Sequence, residues 1–534
     1  MRRAKKQGLL AALPLVVSGA LILSACSGGS GSDENTAQQE PVSALDTAAD
    51  AAAAQDVGGA APVDAGTAEG VADAGLAPVE APGAAPVADA AKSGSAAKTG
   101  AKSESGKAKA VTTEAGDTAG LTSIDDAAQR AANARIAAEK NGATDLGVTK
   151  DSIKLGTVSM HGVALGNLIV IPMLNGTKAT FASINDRGGV LGRRLSLVDC
   201  DDGPGEVSRS KACIKKLVGQ DKVFALLGYL SWASASVHSD LAQYRLPAVG
   251  TWAYSQTEWQ DPYMFPTHMS MIHEAMANAQ WVKNVVRPKT YGLICLTSPE
   301  MQLSCDAVNK VLNASGAQLV KRMDVGISET SMSAQVLAMR AANPDTIVHY
   351  VINPATIVKF MVEAAQQGYY PPKGISGNHL AAEVLGQLFG KHPAGRYWTN
   401  TTYKLWGSEF MAVMNKYARG NKGLNHHIVQ ANYVGALVFE RAAKAVGPNL
   451  TRERLMAQLS NGDVYAADAS LDQRFSYSKA ERGGSQDSQT WNRNYGQGRE
   501  FMYKYNTTNT ASNPDGSPNG WEPDPDQFVI HTDK

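Results

Sequence analysis

Between residues 27 and 120 the chain has almost no aromatic or large aliphatic residues; Ala, Gly, Pro, Ser and Asp dominate. Such a segment cannot bury enough apolar area to offset its conformational entropy, which excludes a folded domain there and predicts a disordered tether. A flexible chain of about 95 residues has an r.m.s. span of roughly 50–60 Å. Net charge is also absent, with Lys+Arg and Asp+Glu at 50 each. No basic field exists to attract nucleic acid, and no acidic run marks a solvating tail. The chain has no Gly-x-Ser-x-Gly elbow, P-loop, GxGxxG after a strand, or HExxH, so no motif points to an enzyme. No CxxC or Cys/His cluster is present, and neither His426-His427 nor His268 with His273 has ligand spacing. No metal and no cofactor are expected.

The N-terminus is where information begins. Arg2, Arg3, Lys5 and Lys6 precede an apolar stretch at 9–23, the layout of a secretory signal and short for a span of ~20 residues. It ends in Leu23-Ser24-Ala25-Cys26, which resembles the bacterial lipobox, and the resemblance implies lipidation at Cys26 and a membrane anchor. The other reading is an ordinary signal peptide with a chance cysteine. Five cysteines are an awkward number for an exported chain, and lipid on Cys26 leaves four. An oxidising compartment favours Cys200–Cys213 and Cys295–Cys305 bridges over four buried thiols.

Residues 153–158 read as a strand. The next helix has an apolar face including Leu174, Thr177, Phe181 and Ile184, Pro172 in its first turn, and a stop at Arg187-Gly188-Gly189. Strands at 195–198, 223–227 and 246–249 alternate with helices at 206–219 and 232–244. The pattern restarts with strand 291–296, helix 301–314, strand 317–323, helix 333–342, strand 346–350 and helix 355–367. Helices at 428–446 and 451–459 follow. This alternation predicts an α/β fold of two similar lobes, each a parallel sheet covered on both faces. Cys200 and Cys295 each end a strand, with a partner in the next helix, so the lobes are expected to be pinned at equivalent junctions. The expected organisation is a signal at 1–25 and a tether at 26–145 with a short helix capped by Ser123 and Asp126. The first lobe then occupies 146–270, the second 271–395, and return segments with a C-terminal extension 396–534.

The run Ile184-Asn185-Asp186-Arg187-Gly188-Gly189-Val190-Leu191-Gly192-Arg193, between segments 153–158 and 197–202, resembles the opening of type I periplasmic binding proteins of the Leu/Ile/Val-binding kind. Segments 223–228, 246–250 and Asn343-Pro344-Asp345-Thr346-Ile347-Val348 continue the match in order, and 432–446 resembles the family's late helix. The resemblance covers roughly 147–475. It implies two Rossmann-like lobes joined by hinge crossovers, closing on a small-molecule ligand at the carboxyl ends of their strands.

The loops after the strands supply the candidate ligand residues. They are His161, then Tyr229, Ser231 and Trp232, then Trp252, Ala253, Tyr254 and Ser255. Ser231 is read as the start of a helix, where its hydroxyl and the free N–H groups hold a carboxylate or merely cap the helix. By resemblance, Ser231, Ala253 and Ser255 form a carboxylate grip. Four aromatics in two loops favour a flat or apolar ligand portion, although some of them are expected to serve the core. From the second lobe we expect Thr297, Ser298, Met301, Tyr350, Asn353, Asn378 and His379. Amino-acid binders of the family often set a second-lobe carboxylate against the ligand ammonium, and neither Glu300 nor Glu383 matches that position well. The ligand therefore stays open among an amino acid, an aromatic acid and an amide-like molecule. The expected whole is a monomeric extracytoplasmic lipoprotein serving an ABC permease. The same fold also admits a ligand-sensing receptor subunit or a cell-wall interaction protein that has lost small-molecule binding.

Overall fold

Short apolar runs separated by amphipathic helices close into two sheets. The computed structural model describes residues 139–461 except 163, 253–254, 328, 352 and 379–390, together with 463, 465, 468–471, 475, 477, 499–506, 520–525 and 529–531. The expected signal, Cys26, the tether up to residue 138, and Ala253, Tyr254, His379 and Glu383 lie outside the described residues.

The first lobe runs β1 (Ser152–Ser159), α1 (Ala164–Asp186), β2 (Arg194–Asp201), α2 (Val207–Gly219), β3 (Ala225–Leu227), α3 (His238–Tyr244), β4 (Ala248–Thr251), α4 (Gln256–Gln260) and β5 (Met264–Pro266). Its strands are all parallel, in the order β2-β1-β3-β4-β5. The second lobe opens with α5 (Met271–Trp281) and continues through β6 (Thr290–Leu296), α6 (Pro299–Ala314), β7 (Gln318–Val325), α7 (Ser333–Ala342), β8 (Thr346–Tyr350), α8 (Pro354–Gln366), β9 (Ile375–Gly377) and β10 (Tyr397–Thr401). These strands take the corresponding order, β7-β6-β8-β9-β10. The chain then returns to the first lobe as α9 (Ser408–Tyr417), α10 (His427–Val446) and α11 (Arg452–Leu459). Finally β11 (Arg499–Tyr505), β12 (Trp521–Pro523) and β13 (Val529–His531) add antiparallel strands to the second sheet.

The motif around Asn185 has a mechanical explanation. Asn185 pairs its side chain with both backbone groups of Leu195, at 3.0 and 2.7 Å. Arg193, fully buried, donates to the carbonyls of Thr149, Gly142 and Pro448 at 2.8–3.1 Å. Arg452 does the same for Val223, Phe224 and Tyr244, each at 2.7 Å. Buried carbonyls at loop ends need donors, and a guanidinium supplies several at once. Helix α10 lies so close to β4 that a Cβ on Gly435 would sit 2.5 Å from the Gly250 Cα.

Three expectations need correction. The helix expected at 232–244 begins only at His238, after a 3-10 turn at Ser234–Ser236, so Ser231 does not start a helix. Pro172 is not in a first turn but inside α1, which starts at Ala164 because Ile169, Val170 and Met173 extend its buried face. Proline there forfeits the hydrogen bond to the preceding turn. The disulfides Cys200–Cys213 and Cys295–Cys305 form, but not at equivalent junctions. Cys200 ends β2, an edge strand, whereas Cys295 lies in β6, the counterpart of central β1.

Candidate ligand-binding site

In an open parallel sheet the carboxyl ends of the strands are where loops leave room for a ligand. In the first lobe these ends gather an apolar cluster of Met160, Leu230 and Trp252 with Val170, Met173 and Leu174 of α1 and Ile428 of α10. Trp232 packs against this cluster and also against the second-lobe core that contains Met301 and Tyr350. It touches both walls. Trp252 in turn lies 5.5 Å from the ring of His268 and 5.7 Å from that of His427.

The other expected residues divide. Tyr229 and Met301 are fully buried in the cores of their own lobes. Ser231 donates its hydroxyl to Asp202 and accepts from the Ala233 N–H at 3.0 Å. Asp202 also receives Ser210 at 2.6 Å, and Ser210 meets the Tyr229 hydroxyl at 2.7 Å. Burial raises the Asp202 carboxyl above its ordinary range, against the lowering effect of the two serines. Ser255 caps α4: its hydroxyl accepts from the Glu258 N–H at 3.4 Å, and the Glu258 carboxylate takes the Ser255 N–H at 2.9 Å. Asn353 caps α8 and donates to the Ile327 carbonyl at 2.7 Å. Buried Tyr350 OH and Asn378 Nδ2, at the ends of β8 and β9, have no hydrogen-bond partner. Neither do Asp202 Oδ1 and Thr251 Oγ1 in the first lobe. Buried polar atoms are nearly always paired, and these four stand at strand ends, where an open sheet leaves room for a ligand.

Ser159, His161 and Asp199 have the residue types of a nucleophile relay without its geometry. His161 Nε2 meets both Asp199 Oδ2, at 2.7 Å, and Ser159 Oγ, at 3.2 Å, while Ser159 donates directly to Asp199 at 2.5 Å. A relay requires serine and acid on opposite ring nitrogens. Here the three side chains hold the loop in place.

A second buried group occupies the crossovers. His268, between β5 and α5, donates Nδ1–H to the Met269 carbonyl at 2.9 Å and places Nε2 3.4 Å from Glu274. Thr402, between β10 and α9, accepts from the Met269 N–H at 3.4 Å and donates to Glu274 at 3.3 Å. Asn400 links the Glu274 carbonyl to the Glu500 carboxyl, at 3.1 and 3.2 Å. Burial pushes Glu274 up to about 7, opposed by the His268 charge and the Thr402 hydrogen bond. Burial and the Glu274 charge hold Glu500 well above the ordinary range. His426 and His427 stack at 4.2 Å, and among the described residues no three His, Cys, Asp or Glu converge to hold a metal.

Periplasmic binding proteins, as a family profile, match residues 152–489, more than half of the chain. The chain belongs to this family. Among solved periplasmic binding proteins and their kin, a fatty acid ABC transporter substrate-binding protein from Thermomonospora curvata superposes with a TM-score of 0.58 at 16% identity, covering 73% of this chain and 94% of its own. A solute-binding protein from R. palustris, in complex with 4-hydroxybenzoate, gives 0.59 at 16% identity, with 71% and 97% covered. A leucine-binding protein from Thermotoga maritima gives 0.56 at 16%, with 71% and 99% covered. At these identities the likeness is one of fold. No curated protein matches the chain in sequence. No helix among the described residues is long and apolar enough to cross a membrane.

The residues that sequence reasoning missed are the acids. Ser255-Gln256-Thr257-Glu258 carries the S-x-x-E signature of a capping box, so Glu258 was readable. Asp202, eight residues from Ser210 and 29 from Ser231, gives no local signal.

Proposed function

We propose that the chain is an exported, lipid-anchored solute-binding protein that captures a small organic ligand between its lobes and delivers it to an ABC permease. The observation that carries this is Trp232, which packs at once against the apolar wall of the first lobe and against the core of the second. A ligand seated beside it touches both walls only when they are together, so binding favours the closed arrangement. Support for a small, partly apolar ligand comes from Met160, Leu230 and Trp252, and from relatives whose names specify a fatty acid, 4-hydroxybenzoate and leucine. The lipid anchor rests on the sequence around Cys26, and its test is whether Cys26→Ala releases the protein from membranes.

The decisive test is a thermal-shift screen of the purified chain against amino acids, aromatic and fatty acids, amides and nucleosides. A ligand at ~100 times its Kd adds roughly 2.7 kcal/mol of stability. Binding that disappears in the Ser231→Ala, Trp252→Ala double variant, with folding intact, places the ligand in this cleft. A flat screen on folded, ligand-free protein overturns the proposal.

A further inference from the structure

If the cleft binds a solute, as proposed, the protein's own acids restrict which solute. We infer that the ligand carries an amide rather than a free carboxylate at its polar end, on an apolar body.

Of the three residues that the family resemblance assigns to a ligand carboxylate, the two among the described residues, Ser231 and Ser255, each already give a donor to a carboxylate of this chain. The Ser231 hydroxyl donates to Asp202, and the Ser255 N–H donates to Glu258 at 2.9 Å. Both acids are fully buried. A ligand carboxylate would have to displace them or lie beside them where water screens poorly, and like charges repel strongly in such surroundings. The guanidinium nearest these loops, that of Arg209 beside Gly203, is paired with Glu206 at 3.1 Å. Neither Lys nor Arg occurs among the described residues of loops 159–162, 201–206, 228–233, 251–255, 296–298, 350–353 and 377–378. The one basic side chain in them, His161, is 2.7 Å from Asp199.

The hydrogen-bonding capacity left over pairs an acceptor in the first lobe with an amide donor in the second, and each lobe adds a hydroxyl that can take either role. The first retains an acceptor, Asp202 Oδ1, and a hydroxyl, Thr251 Oγ1. The second retains a donor, Asn378 Nδ2, and a hydroxyl, Tyr350 OH. An amide offers N–H to the one and C=O to the other; a carboxylate offers only acceptors. Burying a polar group against a mismatched partner leaves both unpaired, a strong basis for discrimination.

The test uses ligands that share a body and differ at one end: phenylacetamide, 2-phenylethylamine and phenylacetate, with octanamide, octylamine and octanoate as a longer set. Affinities are read at pH 7.5 by calorimetry on the full chain. The amide of at least one set should bind at least tenfold more tightly than its acid and more tightly than its amine. An acid that equals or exceeds its amide overturns the inference while leaving the solute-binding reading intact. An amine that is tightest overturns the amide assignment. No binding in either set overturns the inference, and a flat general screen beside it removes the solute-binding reading as well. Asp202→Asn should reduce the amide-over-acid ratio several-fold, and an unchanged ratio removes Asp202 from the argument. Glu258→Gln makes the same test if Asp202→Asn does not fold.

Discussion

In the first lobe the strand ends carry Met160, Leu230 and Trp252 above buried acids whose partners are serine hydroxyls and backbone N–H groups. In the second, strands in the corresponding order end in Tyr350 and Asn378, whose polar atoms lack partners, while its buried acids sit at the crossovers. One wall therefore keeps an acceptor and a hydroxyl in reserve beside acids that already have partners, and the other keeps a hydroxyl and an amide N–H. A shared strand order fixes where a cleft lies, and says little about what each wall offers a ligand.

The largest expected effect separates the lobes by stability. Arg452 holds three first-lobe carbonyls, and Arg452→Met leaves all three without their donor. Losing it should cost the first lobe about 4 kcal/mol, since each buried acceptor left unsatisfied costs roughly 1–3 kcal/mol and partial relaxation recovers some of that. Calorimetry should show one transition falling and the other holding. Equal falls would mean that the lobes unfold as one unit. Next come the disulfides, which close separations of 13 and 10 residues. By loop entropy each contributes roughly 3 kcal/mol, and paired Cys→Ser variants should lower only their own lobe. A larger loss for Cys295 and Cys305 than for Cys200 and Cys213 would reflect the central position of β6 against the edge position of β2.

Much of this fold was legible because its signals are local. The helix at 333–342 and the strand at 346–350 match to the residue, since the helix period is unbroken and the strand is bounded by Asn343-Pro344-Asp345. What could not be read depends on distant partners. Ser231 reads as a helix start until Asp202, 29 residues away, is found holding its hydroxyl. His268 and His427 look unrelated in the sequence, yet their rings lie 5.4 Å apart because a crossover and α10 meet beside Trp252. The strands β11–β13 lie in a stretch rich in Asn, Gly, Ser and Tyr and carry no clear alternation, so their place on the second sheet was not predictable.

A smaller effect tests the contrast in buried charge. Glu274 rises from 4.5 to about 7, so its contribution to stability is complete below about 4.5 and is lost as pH rises through about 7. His273, buried on the same helix, falls from 6.5 to about 3; its contribution is complete above 6.5 and is lost as pH drops towards 3. Glu274→Gln should therefore gain stability at pH 8 and gain none at pH 4. The full shift corresponds to about 3 kcal/mol, and loss of the His268 pairing offsets part of it, leaving about 1–2 kcal/mol. Urea unfolding at the two pH values decides the matter: an equal effect at both would show that Glu274 acts by packing and not by charge.

The smallest effect on stability should come from the residue that joins the two regions. Trp232 is only partly buried, so Trp232→Ala removes modest apolar area and should cost about 1 kcal/mol or less. Its consequence should appear in coupling instead. With the indole gone, the lobes keep their own cores and disulfides but lose the side chain that packs on both. Small-angle scattering should then report a more open average shape, and the two calorimetric transitions should move further apart. If neither changes, the crossovers alone hold the lobes together, and Trp232 serves only as a wall of the first.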